Sequence, residues 1–273
     1  MTHALQALRA IVLREVMKFM RQTSRLASAV VRPLLWLAVF AAGFRNVFGV
    51  AINEPYDTYI PYDVYIAPGL VGMVLLFNGM QSSLAMVYDR EMGLMRLLLT
   101  APLPRWWILF AKLSATALLS LLQAAAFVAV AALLGTTLPL WGPQTPMVLL
   151  AAVSAALMLG ALGLLLSVHI KQLENFAGTM NFVIFPMYFM STALYPLWKL
   201  EESGAEWVWW IARFNPFTHA VEWMRFALYD KDPGVAPYVV LGTLAVCFAA
   251  AAWGYDPQRG FGALTKRGPG GPP

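Results

Sequence analysis

Charge is scarce in this sequence. Acidic and basic side chains together make up 12% of the chain, while 60% of its residues are hydrophobic; soluble domains carry charge on roughly a quarter of their residues. Such a chain cannot cover itself with polar groups and needs lipid as a solvent. Cysteine is almost absent. With Cys247 alone, no intramolecular disulfide and no cysteine-based metal site is possible. The three histidines, His3, His169 and His219, lie far apart and make no metal set. There is no Gly-x-x-x-x-Gly-Lys-Ser/Thr sequence, the loop that cradles nucleotide phosphates. There is no Gly-x-Ser-x-Gly elbow either. No acid is expected deep in a span, which counts against an ion-coupled carrier. A cleavable signal peptide is not expected, because about thirty residues with scattered charges precede the first apolar block. The net charge of +5 would suggest nucleic acid in a soluble protein. In an apolar chain its distribution matters more than its sum, and no nucleic-acid partner is expected.

What is present are long uncharged runs. Crossing the hydrocarbon takes about twenty helical residues. Val64–Tyr88, Asn175–Trp198 and Pro233–Tyr255 each supply a span. Leu113–Ile170 is too long for one and is broken by Gly135, Pro139, Gly142, Pro143 and Pro146, so it reads as two spans and a hairpin. A first span at about 28–50 requires Arg32 and Arg45 to snorkel towards opposite headgroup layers. The expected fold is all-α: a polytopic membrane protein with six transmembrane helices. Residues 1–28 would form a cytoplasmic amphipathic helix, 29–255 the membrane domain and 256–273 a disordered tail. With both termini placed inside, fourteen of the nineteen Lys and Arg residues fall on the cytoplasmic side, as the positive-inside rule requires.

Three segments between the spans stand out. In the first, at about 4–28, Leu5, Leu8, Val12, Val16 and Phe19 share one helical side and Arg14, Lys18, Arg21 and Arg25 the other. This is a basic amphipathic helix, suited to anionic lipid or to a cytoplasmic partner. In the second, Asp89 and Glu91 are expected to open a short helix whose Leu94, Leu97 and Leu98 form a stripe and which Pro102 and Pro104 stop. A mixed-charge helix there serves for docking a partner or for packing on its own bundle. In the third, Asn215 and Pro216 make an N-cap and a first helical residue. The helix would run to about Tyr229, too short and too charged to cross, and Glu222 and Arg225 can pair three residues apart. If they do, exchanging the two should harm less than either alanine. A cluster of tryptophans, Trp198, Trp207, Trp209 and Trp210, precedes it, as at a membrane interface. Within the spans, Asn78, Gln81, Asn181 and Tyr188 serve either as glue between helices or as the wall of a substrate path, with Phe77 and Phe185 as its apolar lining.

The order of these features resembles the permease subunit of type-2 ATP-binding-cassette exporters. The resemblance rests on Ala67-Pro68-Gly69-Leu70, on Asp89-Arg90-Glu91-Met92-Gly93 followed by Leu99-Thr100-Ala101-Pro102-Leu103-Pro104, and on Asn215-Pro216-Phe217-Thr218-His219-Ala220. It implies that two copies, most simply a homodimer, form a pore in the bacterial inner membrane, with both termini cytoplasmic. It implies a separate ATPase that holds ATP and Mg, while this chain binds no cofactor or metal and is no enzyme. It makes Asp89, Arg90, Glu91, Gly93 and Arg96 a coupling helix, the N-terminal segment an interface helix and 215–229 a re-entrant outer helix. Arg32–Phe44 and Gly69–Gly93 are similar to efflux-type permeases associated with quinoprotein alcohol oxidation in bacteria. The alternatives are a channel or membrane scaffold, or a membrane enzyme acting on lipid-like substrates through His219 and Glu222.

Overall fold

Prolines and glycines mark where the apolar runs become helices. Pro61 and Pro104 occupy the N-cap positions of the two longest helices. Gly93 and Gly135, with φ of +72° and +99°, lie just past their C-terminal ends, where a left-handed residue closes a helix. The computed structural model describes residues 2–21, 23–44, 55–56, 60–93, 104–136, 138–170, 172–202 and 204–255. These residues form helices and no strand: α1 (Thr2–Met20), α2 (Thr23–Phe44), α3 (Tyr62–Glu91), α4 (Arg105–Leu133), α5 (Thr145–His169), α6 (Leu173–Phe189), α7 (Leu197–Glu202), α8 (Glu206–Phe214), α9 (Pro216–Leu228) and α10 (Ala236–Gly254). Four of them, α3, α4, α5 and α10, are long and apolar enough to cross a membrane.

Helix α3 is the centre, touching α2, α4, α5, α6 and α9. Two-thirds of its most apolar window is buried inside the chain, against about a fifth for α10. Glycine lets its backbone approach its neighbours. A Cβ on Gly69 would lie 2.5 Å from the Ala193 carbonyl oxygen, and one on Gly163 would lie 2.9 Å from the Gly79 carbonyl oxygen of the facing helix. Close approach through small residues is how helices associate where no hydrophobic drive separates protein from solvent. Between α4 and α5 the expected hairpin is built by Thr145, whose hydroxyl donates to the Leu140 carbonyl at 2.7 Å, and by Gln144, which donates to the Pro139 carbonyl at 2.9 Å.

Features of α1, α2 and α6 differ from the sequence reading. The amphipathic helix ends at Met20, not near residue 28, and a new helix starts at Thr23. Arg25 therefore lies in α2, and its side chain is outside the described residues. Arg32, placed by the sequence reading at a headgroup layer, has its guanidinium over the Phe77 ring, 4.3 Å from the centroid and midway along α3. The third is α6, which ends at Phe189 where a span to Trp198 was expected. Pro186 withdraws one backbone donor from its last turn, and at 17 residues the helix is about 26 Å long.

Candidate functional site: two polar joints on the central span

At the Glu91 end, α3 does not stop at Tyr88 but continues through Asp89. That extra turn points the Asp89 side chain inward, where it is 5% exposed. Three cations converge on it. Lys112 Nζ of α4 lies 3.3 Å from its Oδ2, Arg14 of α1 lies 3.4 Å from the same oxygen, and Lys18 of α1 lies 3.7 Å from Oδ1. Lys112 is itself buried. Burial opposes the charge on Arg14, but Glu15 and then Asp89 outweigh it and hold its pKa above the ordinary arginine value. The expectation that Asp89 and Glu91 begin a short docking helix is thus corrected: both end α3. Glu91 stays exposed and accepts the Leu173 backbone N–H at 2.9 Å, capping α6. Arg90 is half-buried and Gly93 terminates the helix. Arg96 and the rest of 94–103 lie outside the described residues.

On α1, the buried side is Ile11 and Phe19, while Leu5 is 58% exposed. Arg14 stays exposed and Lys18 is half-buried, yet both reach Asp89 from the polar face expected for them; Arg21 is exposed. A polar void of about 30 Å³, lined by Glu15, Lys18, Asn78, Ser82, Asp89, Lys112 and Thr116 among others, sits in this joint. It has room for about one water molecule.

Further along α3 the candidate path residues divide. Asn78 is buried and fully engaged between helices. It donates to Ser120 Oγ at 2.6 Å and accepts from Gln123 at 2.9 Å. It belongs to the α3–α4 contact, not to a path wall. Tyr188 is also buried, packed beside Phe189 and Phe217. The other four lie more openly. Phe77 meets Phe185 edge-to-face at 6.4 Å, Gln81 is half-buried and Asn181 is exposed. Glu174, Gly178, Asn181, Phe182 and Phe185 are all exposed and recur at helical spacing, so α6 presents one face that the other described residues leave open.

At the Tyr62 end a second joint closes the α6 break. The chain leaving α6 exposes carbonyls that an apolar surrounding must satisfy. Asn215 donates to the carbonyls of Met187 at 2.7 Å and Met190 at 2.8 Å. Its side-chain oxygen accepts the Phe217 N–H, capping α9, with Pro216 as the first helical residue. Tyr62 donates to the Leu194 carbonyl at 2.6 Å. Arg225, 2% exposed, donates to Glu222 at 2.5 Å and to the Thr192 carbonyl at 2.8 Å. Its guanidinium lies 4.1 Å from the Tyr65 ring centroid. The Glu222–Arg225 pair expected from spacing is present, but Arg225 does more than pair.

Sequence reasoning missed Lys112, Tyr62, Tyr65 and Thr192. For Lys112 a signal existed: it is a lone cation seven residues into an apolar helix. For Tyr62 and Tyr65 the partners are over a hundred positions away, and for Thr192 the partner Arg225 is 33 away; nothing local marks them. Catalysis by His219 and Glu222 finds no support in the geometry. His219 Nε2 is 2.9 Å from the Arg213 carbonyl oxygen, so that nitrogen carries its proton, and Glu222 is held by Arg225.

A family model described as ABC-2 type transporter matches residues 6–229. The "Putative transport permease ycf38" of Porphyra purpurea is 30% identical over 236 residues, which cover 84% of this chain and 76% of that protein. Proteins of the same name from Pyropia yezoensis and Cyanophora paradoxa match at the same identity and coverage. A membrane-spanning, all-helical chain matched over most of its length in this way belongs to the ABC-2 type transporter family, as a permease subunit.

Proposed function

We propose that this permease is half of an ATP-driven export pore, and that force enters it through α1 and the segment after α3. Two copies form the pore, most simply as a homodimer in the bacterial inner membrane, with six spans per copy and both termini cytoplasmic. A separate ATPase holds the ATP and Mg. The observation that carries this reading is the Asp89 joint. One carboxylate ties the amphipathic α1, the central α3 and α4 together, so a push on α1 moves two membrane helices. Asp89 then works as an internal linchpin, and the surface that meets the ATPase consists of Glu91, Met92, the 94–103 segment and the exposed residues of α1. The open face of α6, with Phe185 and Asn181 beside Phe77 and Gln81, lines the path across the dimer axis. Its phenylalanines, Phe77, Phe182 and Phe185, suit a cargo with a hydrophobic part.

The test is to measure how the chain changes the hydrolysis rate of the ATPase that co-purifies with it. Asp89→Asn is expected to leave ATPase binding in place and to remove the chain's effect on hydrolysis. Unaltered stimulation in a folded Asp89→Asn variant would refute the linchpin role.

A further inference from the structure

Pro186 and Met187 of α6 and Trp210, Ile211 and Phe214 of α8 line a groove of about 470 Å³. The one polar residue lining it among the described residues, Asn215, already spends its amide on the Met187 and Met190 carbonyls and its oxygen on the Phe217 N–H. The groove therefore offers a ligand no hydrogen-bonding group from Asn215, and it suits an apolar one. Trp210, Ile211 and Phe214 are 51%, 44% and 74% exposed, a large cost if water covered them.

The depth of the groove follows from the contacts of α6 with α3. Gly69 faces Ala193 and Phe77 faces Phe185. These positions are seven and fifteen residues inside the Tyr62 end of α3, so Pro186 and Met187 lie roughly 10–22 Å along that helix. Since α3 is long and apolar enough to span, this depth belongs to the hydrocarbon of one leaflet. A cation stands beside the groove. Arg213 is exposed, and its guanidinium is held over Trp209 at 4.9 Å and Trp210 at 5.9 Å. No acid pairs with it among the described residues.

We infer that this groove is a binding site for an anionic phospholipid, one acyl chain lying between α6 and α8 and the phosphate on Arg213. The pairing of an apolar slot with an exposed guanidinium that no acid neutralises among the described residues matches the two ends of that ligand. A second copy of the chain would have to bring an acid to Arg213 and an apolar ridge to the slot. The inference rests on the chain residing in a membrane and not on the direction or energy source of transport.

The test uses the full chain in phosphatidylcholine vesicles containing a minor fraction of acyl-dibrominated phosphatidylglycerol. In a Cys247→Ala background, Ile211→Cys carries a bimane label, Met187→Cys reports the opposite wall should the first variant misfold, and Val246→Cys reports the open surface of α10. Bromine quenching at the groove positions is expected to correspond to about fivefold enrichment over Val246, the effect of one favourable cation near the headgroups. Arg213→Gln should remove the enrichment. Equal quenching at groove and surface, enrichment unchanged in Arg213→Gln, or oxidant-induced disulfide pairing of Ile211→Cys between two copies would each overturn the inference.

Discussion

The carboxylate of Asp89 lies 3.3 Å from the ammonium of Lys112, and both side chains are at most 7% exposed. The two residues sit on different helices, 23 positions apart, and each is costly to bury without the other. Their partners are unequal. Asp89 has Arg14 and Lys18 in reserve, whereas Lys112 has Asp89 as its nearest acid. Asp89→Asn should therefore destabilise the chain more than Lys112→Met, by about 3 kcal/mol against roughly half of that. The double variant should recover part of the loss. Thermal unfolding in detergent across the double-mutant cycle measures this; equal single effects that simply add would contradict it.

Asn215 serves two helices with opposite ends of one amide. Asn215→Asp keeps the acceptor for the Phe217 N–H and loses both donors to α6. It should fail to rescue what Asn215→Ala loses, a cost of about 1–3 kcal/mol from carbonyls left unsatisfied beyond the cap itself. If Asp restores wild-type melting, the cap to α9 is all that Asn215 contributes.

Gly69 and Gly178 make a matched pair. A methyl at Gly69 meets the Ala193 backbone at 2.5 Å, while one at Gly178 meets nothing within 4 Å. Gly69→Ala should separate α3 from the chain leaving α6 and cost about 1–3 kcal/mol. Gly178→Ala should stabilise α6 by up to about 1 kcal/mol. Melting temperatures of the two variants decide it, and the same sign for both would be the wrong result.

Exchange of Glu222 and Arg225 was expected to be gentler than either alanine, from spacing alone. The structure reverses this. An arginine at 222 sits on a side chain site that is 22% exposed and leaves Thr192 and Tyr65 without the guanidinium they have now. The exchanged protein should melt no higher than Arg225→Ala, with Glu222→Ala milder than both. Rescue by the exchange would reduce Arg225 to a simple ion-pair partner.

These cases indicate what the sequence carried legibly. Local chemistry was readable: the Asn215–Pro216 helix start, the hairpin glycines and prolines, the apolar runs of α3, α4, α5 and α10, and the Glu222–Arg225 spacing. Direction was not. Asp89 and Glu91 are a good helix opening by composition, and only the packing of α3 against Lys112 makes them a helix end. Asn78 is a polar residue in a span, and whether it faces a path or a neighbour depends on Ser120 and Gln123 of another helix. The early end of α6, three residues past Pro186, is tolerable because Asn215, Tyr62 and Arg225 reach back to the released carbonyls.

Site-directed photocrosslinking to the ATPase tests the central claim most directly. Benzophenone is attached in a Cys247→Ala background at Met17 of α1, at Met92 just past α3, or at Trp141 in the α4–α5 hairpin, all exposed positions, the first two at one end of the bundle and the last at the other. The account predicts capture of the co-purifying ATPase from Met17 and Met92 and none from Trp141. Capture from Trp141, or from no position while the chain alone conducts ions, would contradict a permease driven through α1 and the end of α3.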